Sequence, residues 1–159
     1  MRTTTTLIRR LCAAACAAPL LFAGAAGAGA AVTLAPAASS GEILQLINAE
    51  RSKANCPALQ ENAQLTKAAQ TFADDASKNH LTNHTGSDGS SYTQRIKDAG
   101  YNAGPSAENM SWGTTDAKTI VDGWMNSSGH RGNIVNCSFK DTGVAVSGDY
   151  AVQVFASPG

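Results

Sequence analysis

Three residues of this chain combine a reactive side chain with a place beside a glycine or a sharp turn: His84, Glu108 and His130. Two imidazoles and a carboxylate are the donor set for a divalent ion, or the acid and base of a proton-transfer site. No single stretch carries two of them, so spacing alone does not bring them together. The outcome depends on the elements that hold them.

His130 lies within the densest run of uncommon residues, Trp124-Met-Asn-Ser-Ser-Gly-His-Arg-Gly-Asn-Ile134. Upstream, Ala117, Ile120, Val121 and Trp124 fall at i, i+3, i+4 and i+7, the apolar stripe of a helix. Gly129 stands where a helix C′ residue needs positive φ, which predicts that this helix stops there and leaves His130 on a loop behind a buried, Trp-anchored helix. The competing reading makes His130 a cap on the helix C-terminus. His84 lies in a polar, glycine-punctuated loop over residues 83–90, and Glu108 in a strand-like run over residues 107–112 that places Glu108, Met110 and Trp112 on one face.

The remaining elements follow from caps and periodicity. Ser39 and Glu42 form a capping-box pattern opening a helix with Ile43, Leu46 and Ile47 on one face, closed by Cys56-Pro57. A second helix starts near Asn62, carries Leu65, Ala69, Phe72 and Ala76, and runs to about Asn79. His80 at its end suits the helix dipole. Ser91 and Gln94 cap a short helix with Tyr92, Ile96 and Ala99, stopped by Gly100 and followed by a Gly104-Pro105 turn. Residues 142–147 and 150–155 are strand-like and joined at Gly148-Asp149, a hairpin signal. This order predicts an α+β sandwich with an antiparallel sheet. Trp112, Trp124 and Phe72 are expected in the core, Asn133 on backbone groups of the loop under His130, and Arg131 in a surface ion pair.

Composition bounds the partners. Residues 1–30 read as a signal peptide: Arg2, Arg9 and Arg10, then an Ala/Leu-rich apolar run over residues 11–22, then Ala28-Gly29-Ala30. That run is too short for a membrane span. Residues 31–39 read as a flexible lead-in and residues 40–159 as the domain. The first thirty residues hold three of the 12 basic residues and none of the 12 acidic ones, so the remainder has net charge −3, which argues against nucleic acid as a partner. Only Cys56 and Cys137 remain after residue 30, and a lone pair in an exported chain predicts a disulfide. Four Asn-x-Ser/Thr patterns, at Asn83, Asn109, Asn126 and Asn136, crowd the same three loops and read as chance matches.

The runs His84-Thr-Gly-Ser-Asp-Gly, Ala107-Glu-Asn-Met, Trp124-x-x-Ser-x-Gly-His-Arg-x-Asn-Ile134 and Gly143-Val-Ala-Val, in that order, resemble the CAP superfamily of SCP-like domains, and most of all its compact bacterial branch. The resemblance implies an α-β-α sandwich with a three-stranded antiparallel sheet between helices and a cleft on one side. It also implies a cleft site in which His84, Glu108 and His130 match three members of a two-histidine, two-glutamate tetrad. Ser127 stands where the second glutamate falls, while Asn109, Asn133 and Trp124 support the site. Binding of a lipid, sterol or cell-envelope component is the implied role, ahead of an established reaction. Zinc or another divalent ion on His84 and His130 is the implied cofactor, and a secreted monomer the implied form. A second reading is a metal-dependent hydrolase with Glu108 as base. A third is a non-catalytic envelope or host-interaction protein with a vestigial cleft.

Overall fold

The protein was analysed as a computed structural model that describes residues 38–159. The signal-peptide expectation, and residues 31–37 of the lead-in, lie outside the described residues. The last two lead-in positions belong to the fold: Ala38 is buried and its N–H donates to the Thr115 carbonyl at 2.7 Å, and Ser39 caps the first helix.

Each of the four longer-range helix starts has a side chain that takes over an orphan backbone N–H. Ser39 accepts from Glu42 N at the start of α1 (Ser40–Lys53), Asn62 from Gln64 N and Leu65 N at α2 (Ala63–Asn79), and Ser91 from Gln94 N at α3 (Tyr92–Asp98). Asp116 does the same for Thr119 N at α4 (Ala117–Asn126), which is followed by the short α5 (Ser128–Ile134). The strands are β1 (Gln60–Glu61), β2 (Ala103–Ser111), β3 (Asp141–Ser147) and β4 (Tyr150–Pro158).

The sheet has four strands in the order β1-β3-β4-β2. The three expected antiparallel strands are present as β3-β4-β2, and β1 adds a two-residue parallel edge pairing Gln60 with Asp141. Two residues are too few for periodicity to reveal. Gly148, at φ 58, makes the predicted β3–β4 hairpin turn. The predicted Gly104-Pro105 turn is instead part of β2, where the register against β4 shifts between Ala103 and Ser106. Proline is tolerated there because β2 is an edge strand and the shift frees a ladder position.

β4 is buried on both faces. Val152, Val154 and Ala156 pack with Leu65, Phe72, Ala76, Ile96 and Met110 beneath α2 and α3. Ala151 and Phe155 pack with Ile43, Ile47, Ile120, Trp124 and Ile134 beneath α1, α4 and α5. Helices therefore cover both faces, giving the expected α-β-α sandwich. Helix and sheet approach tightly at Gly143, where an added Cβ would sit 2.1 Å from the Leu65 carbonyl carbon and Thr66 N, so only glycine fits.

Cys56 and Cys137 are joined, with Cα atoms 4.9 Å apart across an 81-residue separation. Loop-closure entropy sets an upper contribution of about 4.5 kcal/mol. The same two loops are held by Arg51, which is fully buried. It donates to the carbonyls of Pro57 (2.9 Å), Ile134 (2.8 Å), Asn136 (2.9 Å) and Phe139 (3.0 Å). Burial lowers the pKa of this guanidinium from its ordinary value, and four carbonyl dipoles replace the lost water.

Candidate functional site

The site is built around β2. Successive side chains of a strand point to opposite faces. Here Glu108 and Met110 turn toward α2 and α3, and Asn109 turns toward α5.

On the first face, the Glu108 side chain is 1% exposed. Arg95 Nη2 donates to both of its oxygens at 3.0 Å, and His84 Nδ1 lies 2.9 Å from Oε1. Arg95 also donates to the carbonyls of Ser90 (2.9 Å) and His84 (3.2 Å), and its guanidinium carbon stands 3.8 Å from the centre of the Phe72 ring. One buried cation thus fixes both the carboxylate and the backbone of the histidine loop. The loop is held from behind by Asp75, whose carboxylate accepts from Ser87 N and Ser87 Oγ.

On the second face, Asn109 is fully buried; its Nδ2 donates to the His130 carbonyl at 3.1 Å and its Oδ1 accepts from Asn133 Nδ2 at 2.8 Å. With both ends of its amide committed, Asn109 is closed to glycosylation. Asn133 was expected on backbone groups and instead bonds Asn109.

His130 is not on a loop. The chain leaves α4 at Ser127, which has extended φ and ψ, and re-enters a helix at once, so Gly129 and His130 lie within α5. The break needs no left-handed glycine, which is why Gly129 misplaced it. Ser127 serves as C-cap of α4 and N-cap of α5 without a side-chain cap bond. Burial lowers the pKa of His130, and the neighbouring His84 lowers it further. Trp124 is 1% exposed and donates its indole N–H to the Met110 carbonyl at 3.1 Å, tying α4 to β2.

Of the three expected site residues, the structure joins His84 and Glu108 directly. It ties the His130 backbone carbonyl to β2 through Asn109, and His84 acts electrostatically on the His130 imidazole. Sequence reasoning missed Arg95. Its place on α3 carries no signal of burial, and only the fold turns it onto Glu108. Trp112 was expected in the core and is 47% exposed, because β2 ends one residue earlier and Gly113 turns the chain at φ 87. Arg131 is exposed, with no ion pair among the described residues. His80 caps α2 in the left-handed region at φ 53.

Between the end of β2 and helices α4 and α5 lies an open hollow of about 360 Å³, whose walls include Met110, Trp112, Trp124, Ser127 and His130. Among the described residues no group of three or more His, Cys, Asp or Glu side chains converges as a metal site. The donors on hand are two imidazoles. With Nδ1 of His84 turned to Glu108, its Nε2 is left as the ligand atom, the usual carboxylate–histidine arrangement behind a bound ion. Two imidazoles alone would hold a divalent ion only weakly.

The chain matches the cysteine-rich secretory protein family, CAP, over residues 44–157, and belongs to it. It is 32% identical over 116 residues to the uncharacterized protein YkwD of Bacillus subtilis, covering 72% of this chain and 45% of that protein. It is 27% identical to an uncharacterized membrane protein of the same organism, YlbC, covering 74% of this chain and 34% of that one. Among solved structures, an extracellular protein containing an SCP domain from Bacillus anthracis superposes with TM-score 0.71 at 27% identity, over 74% of this chain and 39% of that one. An outer surface protein of Borrelia burgdorferi shares the fold, with TM-score 0.68 at 21% identity over 79% of this chain and all (100%) of that one. The chain therefore spans less than half the length of the two Bacillus subtilis relatives. No helix among the described residues is long and apolar enough to cross a membrane.

Proposed function

We propose that this is an exported CAP-domain protein whose cleft binds a small lipid, sterol or cell-envelope component, with His130 at the boundary between the hollow and the His84–Glu108 pair. The observation that carries the reading is the open hollow of about 360 Å³ between β2 and helices α4 and α5, at the small end of the usual range for ligand sites. The disulfide and the extracellular SCP-domain relative support export. A divalent ion held by His84 Nε2 and His130 would supply Lewis acidity at the mouth of the cleft. Glu108 is poorly placed as a hydrolytic base, because both its oxygens are occupied by Arg95 and its side chain is shut off from solvent. The geometry therefore favours binding over hydrolysis.

The test is mass spectrometry of small molecules extracted from natively purified protein, compared with His130→Ala. A compound that accompanies the wild type and is lost from the variant supports the reading. Clean protein that also takes up no lipid, sterol or envelope fragment in titrations overturns it. N-terminal sequencing of protein recovered from the medium should begin near residue 31.

A further inference from the structure

We propose that the hollow beside Trp112 accepts a neutral sugar ring, stacked on the open face of the indole and hydrogen-bonded along its rim. The inference rests on the hollow being the ligand site and names the class of ligand it takes.

Trp112 is the exposed large hydrophobic residue of the described chain, at 47%. It is not a loose side chain. Its ring stacks on Tyr150, centroids 6.5 Å apart and planes 23° from parallel, and Tyr150 is itself buried. The chain turns immediately afterwards at Gly113, whose N–H donates to Asp149 Oδ2 at 3.1 Å in the β3–β4 turn. The indole is thus braced by Tyr150, and Trp112 remains half exposed in the wall of the hollow. A flat apolar surface held rigidly in water is unfavourable to leave uncovered, and binding to it sacrifices little side-chain freedom.

The rest of the wall says what covers it. Among the described residues no Lys, Arg, Asp or Glu lines the hollow, so it offers no counter-charge to a phosphate or carboxylate headgroup. It does offer neutral hydrogen-bonding groups. Ser127 makes no side-chain cap bond, and His130 contributes its imidazole. A braced aromatic face ringed by neutral donors and acceptors matches a pyranose, which presents C–H groups on its face and hydroxyls at its edge.

The experiment is an amide and indole NMR titration of the full chain with N-acetylglucosamine and glucose oligosaccharides, and separately with laurate. The two indole N–H signals come from Trp112 and Trp124, so the open ring is read directly. An oligosaccharide should move the Trp112 indole and the Ser127 and His130 amides. Trp112→Ala should weaken that binding on the order of tenfold with a melting temperature within several degrees of wild type, while Trp112→Phe retains most of it. Oligosaccharides that leave these signals unmoved, or bind Trp112→Ala as well as wild type, overturn the inference. If laurate alone moves them, the sugar assignment fails and the ligand site stands. If neither probe moves them, the sugar assignment fails.

Discussion

Glu108 and Asn109 are consecutive residues of β2 that hold opposite halves of the site. Glu108 takes His84 and Arg95 on one face, and Asn109 takes the His130 carbonyl and Asn133 on the other. The two histidines are therefore positioned by one strand rather than by each other. A shift of β2 by a single residue would exchange the two sets of partners.

Arg95 and Glu108 should behave as a buried pair. Arg95→Met leaves the carboxylate uncompensated and should cost about 3–5 kcal/mol, with Arg95→Lys recovering part of it. Glu108 is the carboxylate paired with Arg95, so Glu108→Gln should also destabilise. From sequence alone Glu108→Gln is expected to be nearly neutral, because the residue reads there as serving function only. Urea denaturation measures all three variants. Arg95→Met as stable as wild type would mean the pair contributes nothing to the fold.

The parts of this fold that were legible in sequence are those set by local chemistry. Ser39, Asn62 and Ser91 announce helix starts through their side-chain oxygens, and Gly148-Asp149 announces a hairpin because glycine tolerates the positive φ found there. The four motifs of the CAP family carried the layer order. What stayed hidden depends on distant partners. Nothing near Arg95 or Arg51 in sequence reveals that each ends in the interior, because the atoms that receive them arrive from other elements. The α4–α5 break stayed hidden because Ser127 makes it through extended backbone angles that any residue can adopt.

His130 should titrate below the reference histidine value of about 6.5, because burial, and then the charge of His84, oppose its protonation. The folded protein then binds this proton less readily than the unfolded chain. Stability is full above the unfolded value and falls as pH drops below it toward the folded value. Proton NMR of chelator-treated protein reads the midpoint directly. His84→Gln should raise it, and His130→Gln should flatten the loss of stability as pH falls below the reference histidine value. A midpoint at or above the reference value would mean that the imidazole is not desolvated.

Zinc should bind weakly at neutral pH through His84 Nε2 and His130, since two imidazoles are half of a usual four-ligand shell. Binding should fall as the pH is lowered and the imidazoles protonate. Calorimetry with wild type and His84→Ala/His130→Ala decides it. Heat that is unchanged in the double variant would place the ion elsewhere.

Trp124 and His130 lie near each other in the sequence and on the same hollow, yet they should fail in opposite ways. Trp124 is buried between α4 and the sheet and its indole bonds the Met110 carbonyl, so Trp124→Ala removes packing and leaves that carbonyl without its donor. A buried aromatic truncated to alanine costs about 3–5 kcal/mol. For a domain of this size that lowers the melting temperature by roughly 10–20 °C. His130 is tied to the fold through its carbonyl, accepting from Asn109, and that bond survives His130→Ala. The substitution removes only a half-buried ring whose protonation the site already disfavours. Its melting temperature in chelator at about pH 7.5, above the reference histidine value, should stay within a few degrees of wild type, while ligand uptake is lost. If His130→Ala melts as early as Trp124→Ala, the imidazole is a structural element of α5 and the site reading fails.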